Sequence, residues 1–157
     1  MEIFLLIGAF LVIRSIEGQK TDGLNKFITI VSNGKKFMLD YETGIRFDKL
    51  RKAASSYGIR LEISSGMRTF ERQSELYAEA VKKHGSDARK YVSEPGHSMH
   101  EVGKAFDLII DGLAPSSANA EKIRSSSTFI WLEKNLGAFG LRWYNRKLEP
   151  WHLERVD

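Results

Sequence analysis

The chain contains no cysteine. That excludes disulfides, thiolate metal sites and cysteine nucleophiles, while leaving the redox compartment open. Histidines are few: His84, His97, His100 and His152 are the only imidazoles that a site could use. Internal repeats and low-complexity tracts are absent. So is the H-E-x-x-H helix, because His100-Glu101 is followed by Lys at position 104. The net charge is +4 and the pI about 9.3, yet no basic stripe interleaved with aromatics appears. That argues against a nucleic-acid partner and leaves carboxylate- and phosphate-rich polymers as the polyanions a basic surface favours.

Long apolar runs are also missing. The longest, Ile3 to Ile13, ends at Arg14 and falls short of the roughly 20 residues that span a bilayer. Its length suits the apolar part of an export signal, although Glu2 precedes it and no A-x-A site follows. We read residues 1–22 as an export or anchoring segment with a linker from Gly18 to Gly23. That assigns residues 23–157 to a single catalytic-size domain. With 42% hydrophobic residues it can bury a core without covalent staples.

Two short segments carry most of the chemistry that is present. The first runs Ser98-Met99-His100-Glu101-Val102-Gly103-Lys104-Ala105-Phe106-Asp107, and the second is Glu149-Pro150-Trp151-His152. Together they offer two imidazoles and a carboxylate, His100, His152 and Asp107, plus a spare carboxylate at Glu149. Three N/O ligands with an open position suit a catalytic zinc, whereas structural zinc is usually closed by four. A spare acid beside them suits a general base. Taken singly, each histidine is more often a surface or core residue than a ligand. Asp107 differs, because it sits in an apolar run and a buried carboxylate requires a partner or a metal. His97 is a rival ligand, and His84 reads as structural, at a helix end where a cation favours the dipole.

Local patterning places these residues. Lys104 to Ile110 reads as a buried strand, with Ala105 and Asp107 on one face and Phe106 and Leu108 on the other. Gly103 allows the chain to fold back so that His100 reaches the same point. Pro150 biases Glu149 to an extended conformation, and Trp151 is expected to anchor the turn. Asn33-Gly34 between two apolar stretches predicts a hairpin. Helices are expected from about Gly44 to Tyr57, Thr69 to His84 (Leu76, Ala80 and Phe70 inward) and Thr128 to Leu136. Strands are expected over Ile59–Ile63 and Leu141–Tyr144. The fold class expected is α+β, a small antiparallel sheet flanked by helices, with the site on its central face.

The first segment resembles the S-x-H-x-x-G-x-A-x-D pattern of the zinc D-Ala-D-Ala peptidases, and the second their E-P-W-H pattern. Upstream, Ser65-Gly66-Met67-Arg68-Thr69-Phe70-Glu71-Arg72-Gln73 is similar to the S-G-Y-R-S-x-x-x-Q segment of VanY-type D,D-carboxypeptidases. The likeness runs from about Phe37 to Glu154, in order. It implies one zinc held by His100, Asp107 and His152, with Glu149 as general base. It also implies Arg68 as the oxyanion partner, in preference to a structural ion pair, and Ser98 and Gln73 as substrate-lining residues. The implied substrate is a peptidoglycan stem peptide, with D-alanyl-D-alanine carboxypeptidase activity preferred, acting as a monomer in the cell envelope and contacting the membrane only through the N-terminal segment. Met67 departs from the usual aromatic. The Leu153-Glu154 ending is closer to the phage L-alanyl-D-glutamate endopeptidases, which keeps an endolysin as the alternative. A zinc-stabilised binding module, as in hedgehog, is the alternative of another class.

Overall fold

The computed structural model describes residues 26–157; the apolar run and linker expected over residues 1–22 lie outside the described residues. The chain opens with a hairpin of β1 (Phe27–Ser32) and β2 (Lys35–Asp40) in antiparallel register, Ser32 facing Lys35. Asn33 and Gly34 both have positive φ, +50° and +72°, as a two-residue turn of type I′ requires. Helix α1 (Tyr41–Ser55) follows without a linker because the Asp40 carboxylate accepts the Thr43 N–H at 3.0 Å and so caps the helix. It therefore starts three residues before the glycine expected to begin it. Gly58, at φ +72°, ends the helical path.

The strand expected over Ile59–Ile63 is displaced. Ile59 gives its N–H to Ala54 O at 3.1 Å, so it still belongs to the helix exit, and β3 runs Glu62–Ser65. Helix α2 (Phe70–His84) is capped by the Thr69 hydroxyl, which accepts from the Arg72 N–H. Ala80 is buried as expected, but Phe70 is 57% exposed: in the first turn of α2 it points outward. His84 lies in the basic last turn and stacks on Tyr91 with ring centroids 3.9 Å apart.

Beyond β4 (Ala105–Ile109) come the short α3 (Ala120–Arg124) and then α4 (Ser127–Asn135). The turn after α4 continues past Gly137 to Gly140, whose φ of +64° ends it in place of Gly137. The last strands are β5 (Leu141–Trp143) and β6 (His152–Arg155). The second sheet is antiparallel in the order β3-β4-β6-β5, so β4 and β6 are its central strands. Phe47, Leu50 and Ala54 of α1 are fully buried in one core with Phe106, Leu108, Leu132 and Leu153, and Phe47 meets Phe106 edge-on at 5.1 Å. Among the described residues no helix is long and apolar enough to cross a membrane. The architecture is α+β, a small antiparallel sheet flanked by helices.

Candidate metal centre

The site is written in strand register. Ser65 of β3 faces Asp107 of β4, which faces His152 of β6; two residues along, Ala105 faces Glu154, which faces Arg142 of β5. Directly opposed residues of antiparallel strands project to the same side, so these rows share one face, and Ala105 leaves room on it. The alignment of β3 depends on an irregularity: Ile63 pairs with Leu108 and Ser65 with Asp107, leaving Ser64 extra. Such a bulge re-aims the following side chain; here it brings Ser65, not Ser64, beside Asp107. The Ser64 hydroxyl donates to Asp107 O at 3.2 Å.

His100 arrives from a loop. Gly103 has φ +73°, and a Cβ there would lie 2.5 Å from the Asp40 backbone N, so only glycine fits this close approach. The Asp40 N–H donates to Gly103 O, and the Gly103 N–H donates back to His100 O. The imidazole is buried, and its Nδ1–H donates to Gly66 O at 2.7 Å, because a carbonyl can only accept. Gly66 is itself pressed on β2, where a Cβ would sit 2.7 Å from Met38 O. The hairpin thus fixes the loop that orients His100.

With Nδ1 protonated, His100 Nε2 carries the lone pair. It lies 3.2 Å from His152 Nδ1 and 3.4 Å from Asp107 Oδ2, while His152 Nδ1 lies 3.0 Å from Asp107 Oδ1. One ligand atom from each of His100, Asp107 and His152 falls within 4.8 Å of the others. Two ring nitrogens this close need a proton or a metal between them. Because His152 faces Asp107 at Nδ1 and Glu154 at Nε2, the metal-free imidazole is protonated on both nitrogens. Without a metal, burial opposes charge on His152, yet its hydrogen bonds to Asp107 and Glu154 push it up to about 9. Burial pushes His100 down, towards the neutral form that ligates. Burial favours a neutral Asp107, but His100 and His152 hold its carboxyl well below the usual range. The donor set fits a divalent cation of the zinc class: two imidazoles, one ionised carboxylate, no thiolate.

Glu149 faces the same cleft, of about 490 Å³. Its turn is stiff: the Glu149 N–H donates to Asn145 O at 2.8 Å, its carbonyl accepts from the His152 N–H, and buried Trp151 anchors the next residue. The Glu149 carboxylate has no hydrogen-bond partner among the described residues, and burial raises its pKa against the pull of His152.

Arg68 forms the ion pair that the sequence reading set aside. Its Nη2 donates to Asp107 Oδ2 at 2.7 Å and its Nε to Ser65 Oγ at 3.2 Å, while its backbone N–H donates to His100 O. Gln73, 1% exposed, donates through Nε2 to Ser93 O, but its Oε1 is buried and has no partner among the described residues. The Ser98 hydroxyl accepts the His100 N–H at 3.3 Å. Exposed His97 stands on the cleft wall and outside the ligand triad. Glu101 holds the loop by accepting the Gly96 and Ser98 N–H groups. Glu154 and Arg142 also line the cleft. From the sequence Arg142 has no place in the site and Glu154 only that of a substitute for Glu149 as base, although Glu154 shares the face of His152 by simple strand alternation.

Residues 36–156 match the family described as VanY, D-alanyl-D-alanine carboxypeptidase. A D-alanyl-D-alanine carboxypeptidase of Enterococcus faecalis (strain ATCC 700802 / V583) is 28% identical over 145 residues, covering 80% of this chain and 50% of its own length. The chain therefore spans half of that relative. A solved LdcB LD-carboxypeptidase, described with peptidoglycan recognition, shares 27% identity at a TM-score of 0.64, over 76% of this chain and 59% of its own. A solved vancomycin-resistance D,D-pentapeptidase VanY in complex with Zn(II) shares 27% identity at a TM-score of 0.61, over 83% and 79%.

Proposed function

Since this chain belongs to the VanY D-alanyl-D-alanine carboxypeptidase family, we propose that it is a zinc peptidase of the cell envelope that removes the terminal D-alanine from peptidoglycan stem peptides. One observation carries the reading. His100 Nε2, Asp107 and His152 Nδ1 converge within 4.8 Å, and the carboxylate of Glu149, without a hydrogen-bond partner among the described residues, lines the same cleft. The VanY relative solved with Zn(II) supports zinc as the metal. His100, Asp107 and His152 would hold the zinc, which would supply an acidified water and a Lewis acid for the scissile carbonyl.

The protein's own groups do the rest. Glu149, its pKa raised by burial, takes the proton of the attacking water and delivers it to the leaving amine. Arg68 is anchored through Nε and Nη2. Its Nη1 donors, which no described residue engages, turn to the carbonyl oxygen as negative charge develops. Gln73, held by its Nε2 on Ser93 O, and Ser98 form part of the cleft wall along which the stem peptide lies.

Incubation with intact muropeptides and mass spectrometry of the products tests the assignment. Loss of one terminal alanine from pentapeptide stems is the expected outcome. Cleavage between L-alanine and D-glutamate instead assigns the endopeptidase specificity towards which the His152-Leu153-Glu154 ending leans. Inertness of the zinc-loaded protein on every muropeptide assigns a binding module.

A further inference from the structure

Glu154 is the buried carboxylate for which the chemistry above has no use. It is 5% exposed and stands two residues beyond His152 on β6. Its Oε1 lies 3.3 Å from His152 Nε2, and its Oε2 lies 3.5 Å from Nη2 of Arg142, the residue opposite it on β5. Both oxygens are therefore engaged. That removes Glu154 from candidacy as a base and gives it another task.

A neutral imidazole has one N–H, and which nitrogen carries it decides which nitrogen can ligate. An ionised carboxylate only accepts. Asp107 Oδ1 faces Nδ1 at 3.0 Å as Glu154 Oε1 faces Nε2 at 3.3 Å, so without a metal both nitrogens carry hydrogen. A divalent cation held by Asp107 would displace the Nδ1 hydrogen, while Glu154 would keep the one on Nε2 and leave the Nδ1 lone pair directed at His100 and Asp107. The other imidazole is set the opposite way: Gly66 O retains the hydrogen on His100 Nδ1 and turns Nε2 inward. The two histidines present different nitrogens because their outer partners differ.

We infer that Glu154, held across the sheet by Arg142, is a positioning residue that selects Nδ1 of His152 as the metal-ligating atom. The inference rests on the zinc reading of the site. Outer-shell partners of metal-bound histidines are worth about 10–100-fold in affinity. A carboxylate is the strongest such partner, and Arg142 offsets part of the cost of burying its charge.

Two measurements on the full chain test this. The first is histidine ¹H–¹⁵N NMR of the zinc-loaded wild type, which is expected to show His152 protonated at Nε2 and bound through Nδ1. Zinc on Nε2 of His152 overturns the inference, and this readout needs no variant to fold. The second is zinc affinity by competition with a chromophoric chelator. Glu154→Leu is expected to bind about 10–100-fold more weakly. Glu154→Gln, which keeps an acceptor oxygen, is expected to fall nearer the wild type. Wild-type affinity in both variants, with native circular dichroism, overturns the positioning role while leaving zinc at the site intact. Failure of the wild type to take zinc at all overturns the reading on which this one rests.

Discussion

Phe106 and Asp107 are neighbours on β4, both buried, yet their side chains serve opposite sides of the sheet. Phe106, with Leu108 and the adjacent Leu153 of β6, is buried in the hydrocarbon core with Phe47 and Leu50 of α1. Asp107, in the same register as Ser65 and His152, faces ionisable groups only a few ångströms away. The first face stabilises by removing apolar area from water. On the second, a buried carboxylate survives only through compensating charges, here Arg68 and His152. Stability and chemistry are thus separated by a single step along one strand. Substitutions on the two faces should fail in different ways.

The largest contrast is expected for the ligands. Asp107→Asn or His152→Ala should abolish stoichiometric zinc, measured by metal analysis of the purified protein, while circular dichroism remains native. Full zinc in His152→Ala would point to His97 as a substitute ligand and break the comparison on the polar side. Phe106→Ala should do the reverse: a loss of about 3–5 kcal/mol in denaturant unfolding, with unchanged zinc per folded molecule. A Phe106→Ala protein that is stable but metal-free would show that the two faces are coupled.

A smaller effect is expected at Arg68, where loss of one oxyanion donor costs about 10²–10³-fold. Its ion pair with Asp107 makes zinc retention the sharper question. If Arg68→Ala releases the metal, the arginine belongs with the ligand set and not with the substrate. The smallest effect is expected for removal of residues 1–22. We propose that they serve export or anchoring, so the shortened chain should fold and hydrolyse muropeptides as the full chain does. Insolubility of that shortened chain would make the apolar run part of the core.

Much of the polar face was legible in the sequence, because strand alternation and the Gly103 fold-back follow from local rules. His100, Asp107, Glu149 and His152 could be brought together on those rules and the ligand requirement. The bulge at Ser64 could not, since it depends on how β3 meets β4. Nor could the start of β3: Ile59 alternates like a strand residue, but its N–H is taken by the end of α1. Phe70 was misplaced because hydrophobicity alone does not fix the inward side of a first helical turn. The Arg68–Asp107 contact joins residues 39 apart in sequence, beyond any local pattern. Glu154 was visible only as a possible substitute base, because its partner Arg142 comes from another strand.

The central claim is that the polar face of β4 and β6 is a hydrolytic metal site whose base is Glu149. Turnover of a stem peptide ending in D-Ala-D-Ala, compared between wild type and Glu149→Gln at matched zinc occupancy, tests it most directly. The amide nearly matches the carboxylate in shape, so fold and metal should be unchanged while the rate falls about 10²–10⁴-fold. Near wild-type turnover by Glu149→Gln with zinc in place would contradict the account.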